Sequence, residues 1–220
     1  MSLTFGAYDI SKSYSENPVL KDCSCAFDKS GVYVLMGPNG CGKSTFLRLC
    51  ALIENPDRGE ITFFSRGHAL EKDIELRRRI TLVLPKVGVF NSTVFQNVSY
   101  GLRIRGVKRG EAEKKVLKAL EFVGLIDRRG QYALTLSSGE TQRLGIARAM
   151  VIEPEILFLD EPTASVDQRN TKIIEDIVLR MKKDGTSTVV ITTHDKEQAE
   201  RLGDWLMEMS GGNISAGKNG

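Results

Sequence analysis

The sequence predicts an α/β fold with a mixed, mainly parallel sheet, antiparallel N-terminal strands and an inserted helical sub-domain. Two short runs, Val32–Met36 and Ile156–Leu159, are almost entirely apolar, which is typical of central strands covered on both faces. Predicted helices follow both runs, and strands that alternate with helices favour a parallel sheet with right-handed crossovers. A helical pattern from about 93 to 150 indicates a sub-domain inserted between the two runs.

Strand patterns dominate the N-terminal part of the chain. Residues 11–18 are polar and include a proline, so we expect them to form a loop between the first two strands. A helix is expected to follow the third strand, from Lys43 to about Ile53. The strands of this part are expected at 3–10, 19–27, 32–36, 61–64 and 80–84.

The middle of the chain is predicted to be helical. Thr93-Val94-Phe95-Gln96 fits a capping box at the start of one helix, and glycines punctuate the segment. We therefore expect an α/β core formed by residues 1–87 and 151–220, and a helical sub-domain formed by residues 88–150. The later core elements are a strand at 156–159, a helix near 168–183, a strand at 188–191, a helix near 195–202 and a hairpin around 205–214.

The composition of the 220-residue chain is that of an ordinary globular protein. A net charge of +3 is too small to indicate a nucleic-acid partner. No apolar run approaches the roughly 20 residues of a membrane-spanning helix, and no signal peptide opens the chain, so we expect a soluble, cytoplasmic protein. The four cysteines lack the spacing and the histidine partners of a zinc site, and are expected to be free thiols.

A glycine-rich stretch after the third predicted strand matches the phosphate-loop pattern G-x-x-x-x-G-K-[ST]. In such a loop the glycines let successive backbone amides converge on phosphate oxygens, and the following helix adds partial positive charge. Lys43 is expected to reach the β- and γ-phosphates of a nucleotide, and Ser44 to place its hydroxyl on Mg²⁺. The phosphate loop consists of Gly37, Pro38, Asn39, Gly40, Cys41, Gly42, Lys43 and Ser44, and Thr45 follows it.

Two consecutive carboxylates, Asp160 and Glu161, end the apolar strand at 156–159. Carboxylates at the end of a buried strand are costly unless a cation or hydrogen bonds satisfy them. We expect Asp160 to hold Mg²⁺ through water, and Glu161 to act as general base for an attacking water molecule. Together with the phosphate loop, this pair predicts the core of a P-loop NTPase that hydrolyses a nucleotide.

A second patch, Leu136-Ser137-Ser138-Gly139-Glu140, is called here the signature stretch; Gln142 and Arg143 follow it. A nucleotide site has no use for this patch within its own chain. The patch therefore indicates that a second copy, or a related chain, carries the nucleotide that it contacts. Ser137 and Glu140 also form the S-x-x-E pattern of a capping box ahead of an apolar helix.

These motifs resemble those of the nucleotide-binding subunit of ATP-binding cassette (ABC) transporters. The resemblance covers nearly the whole chain, and the motifs occur in the family's order. It implies that His194 contacts the γ-phosphate, that Tyr14 stacks on adenine, and that Ser165-Val166-Asp167 contacts the other subunit. It also implies a head-to-tail homodimer, in which each ATP lies between one chain's phosphate loop and four residues of the other chain's signature stretch, Ser137, Ser138, Gly139 and Glu140.

Two departures from the family's pattern stand out. The family normally has a glutamine after the strand expected at 80–84, where it touches Mg²⁺ and the attacking water, but this chain has Pro85. Proline offers no side-chain ligand and no backbone donor, so we expect water or a neighbour such as Lys86 to fill the role, with a weaker dependence on Mg²⁺. The signature, usually L-S-G-G-Q, has Ser138 and Glu140 at its third and fifth positions; we expect Ser138 to be tolerated because it is small.

A short chain with a single cassette looks like an importer subunit. This likeness implies a separate transmembrane permease, a substrate-binding protein and a place on the inner face of the cell membrane. The segments around 79–95 and 97–106 are similar to cassettes of oxyanion importers, tungstate in particular. Two alternatives remain open: a soluble ABC ATPase of iron–sulfur cluster assembly and, because of Pro85, an ATP switch that does not hydrolyse.

Overall fold

Strands and helices alternate along most of the chain. The computed structural model describes residues 3–185 and 187–216; residues 1–2, 186 and 217–220, which the predicted core includes, lie outside the described residues. The strands are β1 (Thr4–Tyr14), β2 (Asn17–Phe27), β3 (Val32–Met36), β4 (Arg58–Ser65), β5 (His68–Ala69), β6 (Ile80–Val83), β7 (Ile156–Leu159), β8 (Thr188–Thr193), β9 (Trp205–Ser210) and β10 (Asn213–Ala216). The helices are α1 (Lys43–Cys50), α2 (Ile74–Arg78), α3 (Val94–Ile104), α4 (Arg109–Phe122), α5 (Ser138–Met150), α6 (Gln168–Asp184) and α7 (Lys196–Leu202), with short 3-10 helices at Ile126–Arg128 and Ala133–Thr135.

The N-terminal strands form an antiparallel sheet with the order β2-β1-β4-β5. The prediction of a loop at 11–18 is wrong, because β1 and β2 continue through most of this stretch and leave only Ser15 and Glu16 as a turn. Ser15 has a φ of 54°, which lets the chain reverse within two residues. Pro18 is tolerated in β2 because this strand lies at the edge of the sheet, where one backbone donor can be missing.

Within the part of the chain that the structure describes, the second sheet has six strands in the order β10-β9-β3-β8-β7-β6. β3 pairs in parallel with β8 and β9, and β7 pairs in parallel with β8, whereas β10 is antiparallel to β9. The predicted mixed, mainly parallel sheet with antiparallel N-terminal strands is confirmed. Because β3, β8 and β7 are neighbours that run in one direction, their carboxyl ends meet at one edge of the sheet.

Aromatic side chains join the two sheets in one core. Phe5 of β1 stacks on Phe27 of β2 with ring centroids 4.2 Å apart, and on Phe63 of β4 at 5.3 Å. It meets Phe158 of β7 edge-on at 5.6 Å. All four rings are buried, and aromatic pairs of this kind add about 0.5–1.5 kcal/mol each beyond the burial of their surface. These contacts hold β7, and with it the acidic pair that follows, against the antiparallel sheet.

The helix after the phosphate loop is shorter than predicted. α1 ends at Cys50 instead of near Ile53, because Leu52 adopts a φ of 57° that cannot continue a right-handed helix. The Ile53 amide donates to the Arg48 carbonyl oxygen at 3.0 Å and closes the last turn. No glycine marks this end, so the usual signal for a helix terminus is missing. The short elements α2 and β5 were not among the predicted ones.

The chain divides into two compact units. The first contains the residues up to Leu82, Glu155–Glu161 and the residues from Met181 on, and so holds both sheets. The second contains Val83–Pro154 and Pro162–Arg180. The helical unit therefore takes in Pro162–Arg180, which the boundaries drawn from the sequence assign to the core.

The second unit is built from helices with an apolar core of their own. The predicted capping box of α3 is present: Thr93 Oγ1 accepts from the Gln96 amide at 3.2 Å, and Gln96 Oε1 accepts from the Thr93 amide at 3.1 Å. Within the described residues, no helix is both long enough and apolar enough to cross a membrane. The buried side chains of this core include Val98, Leu102, Val116, Leu120 and Leu144.

Candidate functional site

The phosphate loop connects β3 to α1 in the first unit, and its outer residues Pro38, Asn39 and Gly40 are exposed. Gly37 lies so close to β9 that a Cβ on it would be 2.4 Å from the Met209 carbonyl oxygen. Gly42 has a φ of 113°, a conformation that residues with side chains disfavour. As the N-cap of α1, Gly42 also offers no side chain to the first amides of the helix, which leaves its positive end available to an anion.

Lys43 is buried among oxygen atoms beside this loop. Its side chain is 4% exposed, and its Nζ donates to the carbonyl oxygens of Gly37 at 2.8 Å and Pro38 at 3.1 Å. Nζ also lies 3.1 Å from Glu161 Oε1. A buried ammonium group needs partners of this kind. The structure thus brings the predicted phosphate-binding lysine together with the predicted general base.

The acidic pair lies directly after β7. Asp160 is 1% exposed, and its Oδ1 accepts a hydrogen bond from Thr192 Oγ1 at 2.8 Å. The backbone amide of Glu161 donates to the same hydroxyl at 2.8 Å. Glu161 has a φ of 41°, in the left-handed region that residues other than glycine seldom occupy. Strained backbone of this kind is concentrated at functional sites.

His194 follows β8, the strand between β3 and β7. Its Nδ1 lies 3.9 Å from Glu161 Oε2, and its side chain is 54% exposed. The phosphate loop, His194 and the acidic pair therefore leave the carboxyl ends of three neighbouring parallel strands. Lys43, Glu161 and His194 meet at this edge, which is where α/β sheets bind their ligands.

Ser44 and Asp160 are the residues predicted to hold Mg²⁺, and both offer oxygen atoms, the ligand type that Mg²⁺ prefers. Among the described residues, no group of three or more His, Cys, Asp or Glu is arranged to hold a metal ion. In nucleotide sites Mg²⁺ is bound through one or two side chains together with substrate phosphates. The buried carboxylate and the hydroxyl therefore fit a metal that arrives with the nucleotide.

Tyr14 lies at the end of β1, and its ring is tied to α1. Its hydroxyl donates to Glu54 Oε2 and accepts from Arg48 Nη2 at 3.0 Å. Arg48 also donates to Glu54 Oε1 at 2.7 Å and to Thr45 Oγ1 at 3.2 Å. The hydrogen bond from Tyr14 is the largest influence that lowers the pKa of the Glu54 carboxyl. The ring is 41% exposed, so a fixed aromatic face stands beside the helix that follows the phosphate loop.

Arg48 and Glu54 were not predicted as site residues. Arg48 lies before the end of α1 and Glu54 lies after it. Tyr14 precedes Arg48 by 34 residues and Glu54 by 40, and only the fold brings the three side chains together. The cysteines are free, as predicted, and Cys41 packs within the phosphate loop against Gly37: a Cβ on Gly37 would lie 2.7 Å from the Cys41 Sγ.

The signature stretch opens α5 in the second unit, and the predicted capping box is present. Ser137 Oγ accepts from the Glu140 amide at 3.3 Å, and Glu140 Oε2 accepts from the Ser137 amide at 2.9 Å. This second hydrogen bond is the largest cause that lowers the pKa of Glu140. Ser137 and Ser138 are exposed, so both hydroxyl groups stand at the open N-terminal end of a helix.

Two other residues of this region have structural roles that the sequence did not indicate. Gly139 packs against α6 so closely that a Cβ on it would lie 2.2 Å from Asn170 Cγ. Asn170 in turn donates from Nδ2 to Asp167 Oδ2 at 2.8 Å, within the loop predicted to contact another subunit. Arg143 is 8% exposed and donates to the carbonyl oxygens of Val123 and Gly124 at the end of α4. Arg143 therefore stabilises the helical unit itself.

Comparison with known proteins agrees with this arrangement. The family model described as ABC transporter matches residues 20–164. The chain is 37% identical to the phosphate import ATP-binding protein PstB 2 of Natronomonas pharaonis, over 93% of this chain and 76% of that protein. It is 33% identical to the tungstate uptake system ATP-binding protein TupC of Peptoclostridium acidaminophilum, over 94% of each chain.

A third relative is a probable anion import ATP-binding protein of Haloferax volcanii, 35% identical over 94% of this chain and 77% of that protein. Among solved structures, cbiO1 from Clostridium perfringens, described as part of the ABC transporter complex cbiONQ, superposes with a TM-score of 0.86. It is 27% identical, and the superposition covers 98% of this chain and 88% of that chain.

Proposed function

The chain belongs to the ABC transporter family and is an ATPase, and we propose that it is the ATP-hydrolysing subunit of an importer that drives a separate membrane permease. Two copies pair head-to-tail around two Mg-ATP on the cytoplasmic face of the cell membrane. The observation that carries the proposal is the meeting of Lys43, Glu161 and His194 at one edge of the parallel strands. A phosphate-binding cation and a carboxylate base side by side support hydrolysis.

The proposed roles follow from the chemistry of each group. The amides of the phosphate loop and Lys43 bind the β- and γ-phosphates of ATP. Glu161 orients the attacking water and accepts its proton, while His194 donates a hydrogen bond to the γ-phosphate. Mg²⁺, when bound, neutralises charge on the phosphate oxygens, and Ser44 and Asp160 would hold it.

The signature stretch supports the head-to-tail pair. Ser137 and Ser138 are exposed at the start of α5, where free amides and the helix dipole favour an anion. In the proposed dimer, Tyr14 and the phosphate loop of one copy bind ATP from one side, and the signature stretch of the other copy binds its γ-phosphate. Ser137 then turns toward the nucleotide and donates its hydroxyl proton to a phosphate oxygen.

A cluster of exposed aromatic side chains in the second unit supports a protein partner. Phe90 and Tyr100 are 42% and 38% exposed, with ring centroids 4.6 Å apart. Arg148 lies 4.9 Å from the centre of the Phe90 ring, and Arg103 lies 5.4 Å from that of Tyr100. Aromatic and arginine side chains are enriched in protein interfaces. We propose that this aromatic patch (Phe90, Tyr100, Arg103 and Arg148) binds the permease.

The segment that carries Phe90 is held in place from inside the unit. Asn97 of α3 is 1% exposed, and its Oδ1 accepts from the Phe90 amide at 2.9 Å. Its Nδ2 lies within hydrogen-bonding distance of the Phe90 and Ser92 carbonyl oxygens, at 3.1 and 3.3 Å. A buried amide with so many backbone partners stabilises one loop conformation, which reduces the entropy cost of binding a partner. The sequence did not single out Asn97 as a functional residue.

Helix α5 gives the signature stretch a direct connection to the aromatic patch. Gly145 of α5 approaches the preceding segment so closely that a Cβ on it would lie 2.5 Å from Val87 Cγ2. Arg148, one turn further on, donates to the Gly88 carbonyl oxygen and covers the Phe90 ring. A shift of α5 on ATP binding would therefore act on the proposed permease contact.

Replacing both Phe90 and Tyr100 with serine should reduce copurification of the permease at least about tenfold, because buried aromatic anchors dominate interface energies. The chain is coexpressed with a candidate permease from the same genome and recovered from detergent through a tag. Leu179→Ser serves as the matched control, since Leu179 is a 40% exposed apolar residue of the same unit outside the patch. Equal recovery of the permease by the double variant and the control would contradict the assignment of this surface.

The transported substrate is proposed to be an oxyanion. The relatives named for phosphate, tungstate and anion import support this class, as do the segments around 79–95 and 97–106. A substrate-binding protein would select the oxyanion, so this chain need not contact it. Copurification of a soluble scaffold in place of a membrane protein would favour the alternative of iron–sulfur cluster assembly.

Pro85 lies two residues beyond the end of β6, where the family's usual glutamine would contribute a ligand. Replacing Pro85 with glutamine should lower the Mg²⁺ concentration that gives half the maximal ATPase rate by about three- to tenfold. This factor corresponds to the net free energy of one hydrogen bond. Pro85→Ala, which restores only the backbone amide, is the control. An unchanged Mg²⁺ dependence in both variants would show that this position takes no part in metal use.

A further inference from the structure

We propose that Thr192 is a positioning residue for hydrolysis: its hydroxyl holds the metal-binding Asp160 and the general base Glu161 in one hydrogen-bonded arrangement. The inference rests on the roles proposed above for the two carboxylates. Thr192 is proposed to act through these two residues, to which both of its side-chain hydrogen bonds lead.

Thr192 is a buried polar residue that follows an apolar run in β8. It lies in β8, between β3 and β7, and is 0% exposed. The three residues before it, Val189, Val190 and Ile191, are apolar and equally buried. A hydroxyl group among them is costly unless it is hydrogen-bonded, and a valine would fill the same space without that cost. The β-propensity of threonine therefore does not by itself explain the hydroxyl.

Both hydrogen bonds of this hydroxyl lead to the acidic pair. The Thr192 hydroxyl donates its proton to Asp160 Oδ1 at 2.8 Å and accepts from the Glu161 amide at 2.8 Å. The donor and acceptor directions of the hydroxyl are thus both fixed, at a residue that is 0% exposed. Since a threonine side chain is stiff at χ1, the hydroxyl also has little freedom to turn away.

Each hydrogen bond has a separate consequence. The one to Asp160 fixes the orientation of a carboxylate that is 1% exposed and is proposed to bind Mg²⁺. The one from Glu161 stabilises the backbone at a φ of 41°, from which the side chain reaches both Lys43 and His194. Loss of the hydroxyl should therefore weaken the Mg²⁺-dependent part of nucleotide binding and slow hydrolysis together.

The test compares Thr192→Val, which removes only the hydroxyl, with Thr192→Ser, which keeps it, in the full chain. The matched control is Thr188→Val, the same change at a buried threonine (2% exposed) at the other end of β8. Affinity for a fluorescent ATP analogue is measured at equilibrium with Mg²⁺ and with a chelator. The kcat for ATP and the melting temperature are measured in parallel.

Thr192→Val should reduce two quantities by about ten- to hundredfold each: the increase in nucleotide affinity that Mg²⁺ produces, and kcat. This factor corresponds to the free energy of one hydrogen bond to a charged group. Affinity in the chelator should not change, and Thr192→Ser should restore both quantities. A wild-type Mg²⁺ effect and kcat in Thr192→Val would overturn the proposal, as would equal losses in Thr188→Val. If the valine variant does not fold, Thr192→Ala against Thr192→Ser gives the same comparison.

Asp160→Asn and Glu161→Gln are measured in the same series to separate this inference from the function on which it rests. If Asp160→Asn keeps the Mg²⁺ effect and Glu161→Gln keeps the rate, the roles proposed for the carboxylates fail. If the two variants show these losses while Thr192→Val does not, the carboxylates stand and the positioning role of Thr192 fails.

Discussion

Replacing Glu161 with glutamine should lower the rate of ATP hydrolysis by about one hundred- to ten-thousandfold, while ATP still binds. Glutamine has the shape of glutamate but cannot accept a proton from water. Glu161 lies 3.1 Å from Lys43 and 3.9 Å from His194, beside both groups proposed to bind the γ-phosphate. Phosphate release measures the rate, and equilibrium binding of a fluorescent ATP analogue measures affinity.

The matched control is Glu200→Gln in α7, which removes an exposed carboxylate outside the site and should leave the rate unchanged. A Glu161→Gln variant that hydrolyses ATP at the parent rate would refute the general-base role. If instead the parent chain hydrolyses no ATP even with its permease, the chain is an ATP switch that does not hydrolyse, the alternative that Pro85 raises.

Replacing Ser137 with alanine should reduce hydrolysis by about one hundred- to one thousandfold, the usual cost of removing one preorganised donor to a transition-state oxyanion. Ser138→Gly should have a far smaller effect, because we expect Ser138 to be tolerated for its size. Both hydroxyl groups are exposed at the start of α5, so exposure alone does not rank them. ATPase rates are measured at protein concentrations that span the dimerisation range, since the proposed site needs two chains.

Loss of Ser137 also removes the N-cap of α5, which costs about 1 kcal/mol of stability by itself. Thr93→Ala separates the two effects, because it removes the corresponding cap of α3 in the same unit. Similar melting temperatures with different ATPase rates would assign the loss to nucleotide contact. Comparable rates in Ser137→Ala and Ser138→Gly would mean that the ranking is wrong.

Most of what the sequence predicted correctly depends on residues close together in the chain. Both capping boxes join residues three apart, and the phosphate loop is one continuous stretch between a strand and a helix. The apolar runs at Val32–Met36 and Ile156–Leu159 predicted buried central strands because their pattern needs no partner to be recognised. The order of these motifs was enough to predict the family.

The errors have a common physical cause. The polar stretch at 11–18 lacks a strand pattern of its own and becomes strand because β1 and β2 pair with each other. Leu52 ends α1 through its backbone conformation and not through a glycine. In each case the outcome depends on contacts or dihedral angles that composition does not reveal.

The sequence by itself predicted the chemistry of this protein: a phosphate loop, a pair of carboxylates and a signature stretch expected to act on a second chain. Only the tertiary structure decided which side chains support that chemistry. Thr192 reaches Asp160 across 32 positions, and Arg48 reaches Tyr14 across 34. The reason is that hydrogen bonds between side chains distant in sequence depend on strand order and register, which short-range patterns do not encode.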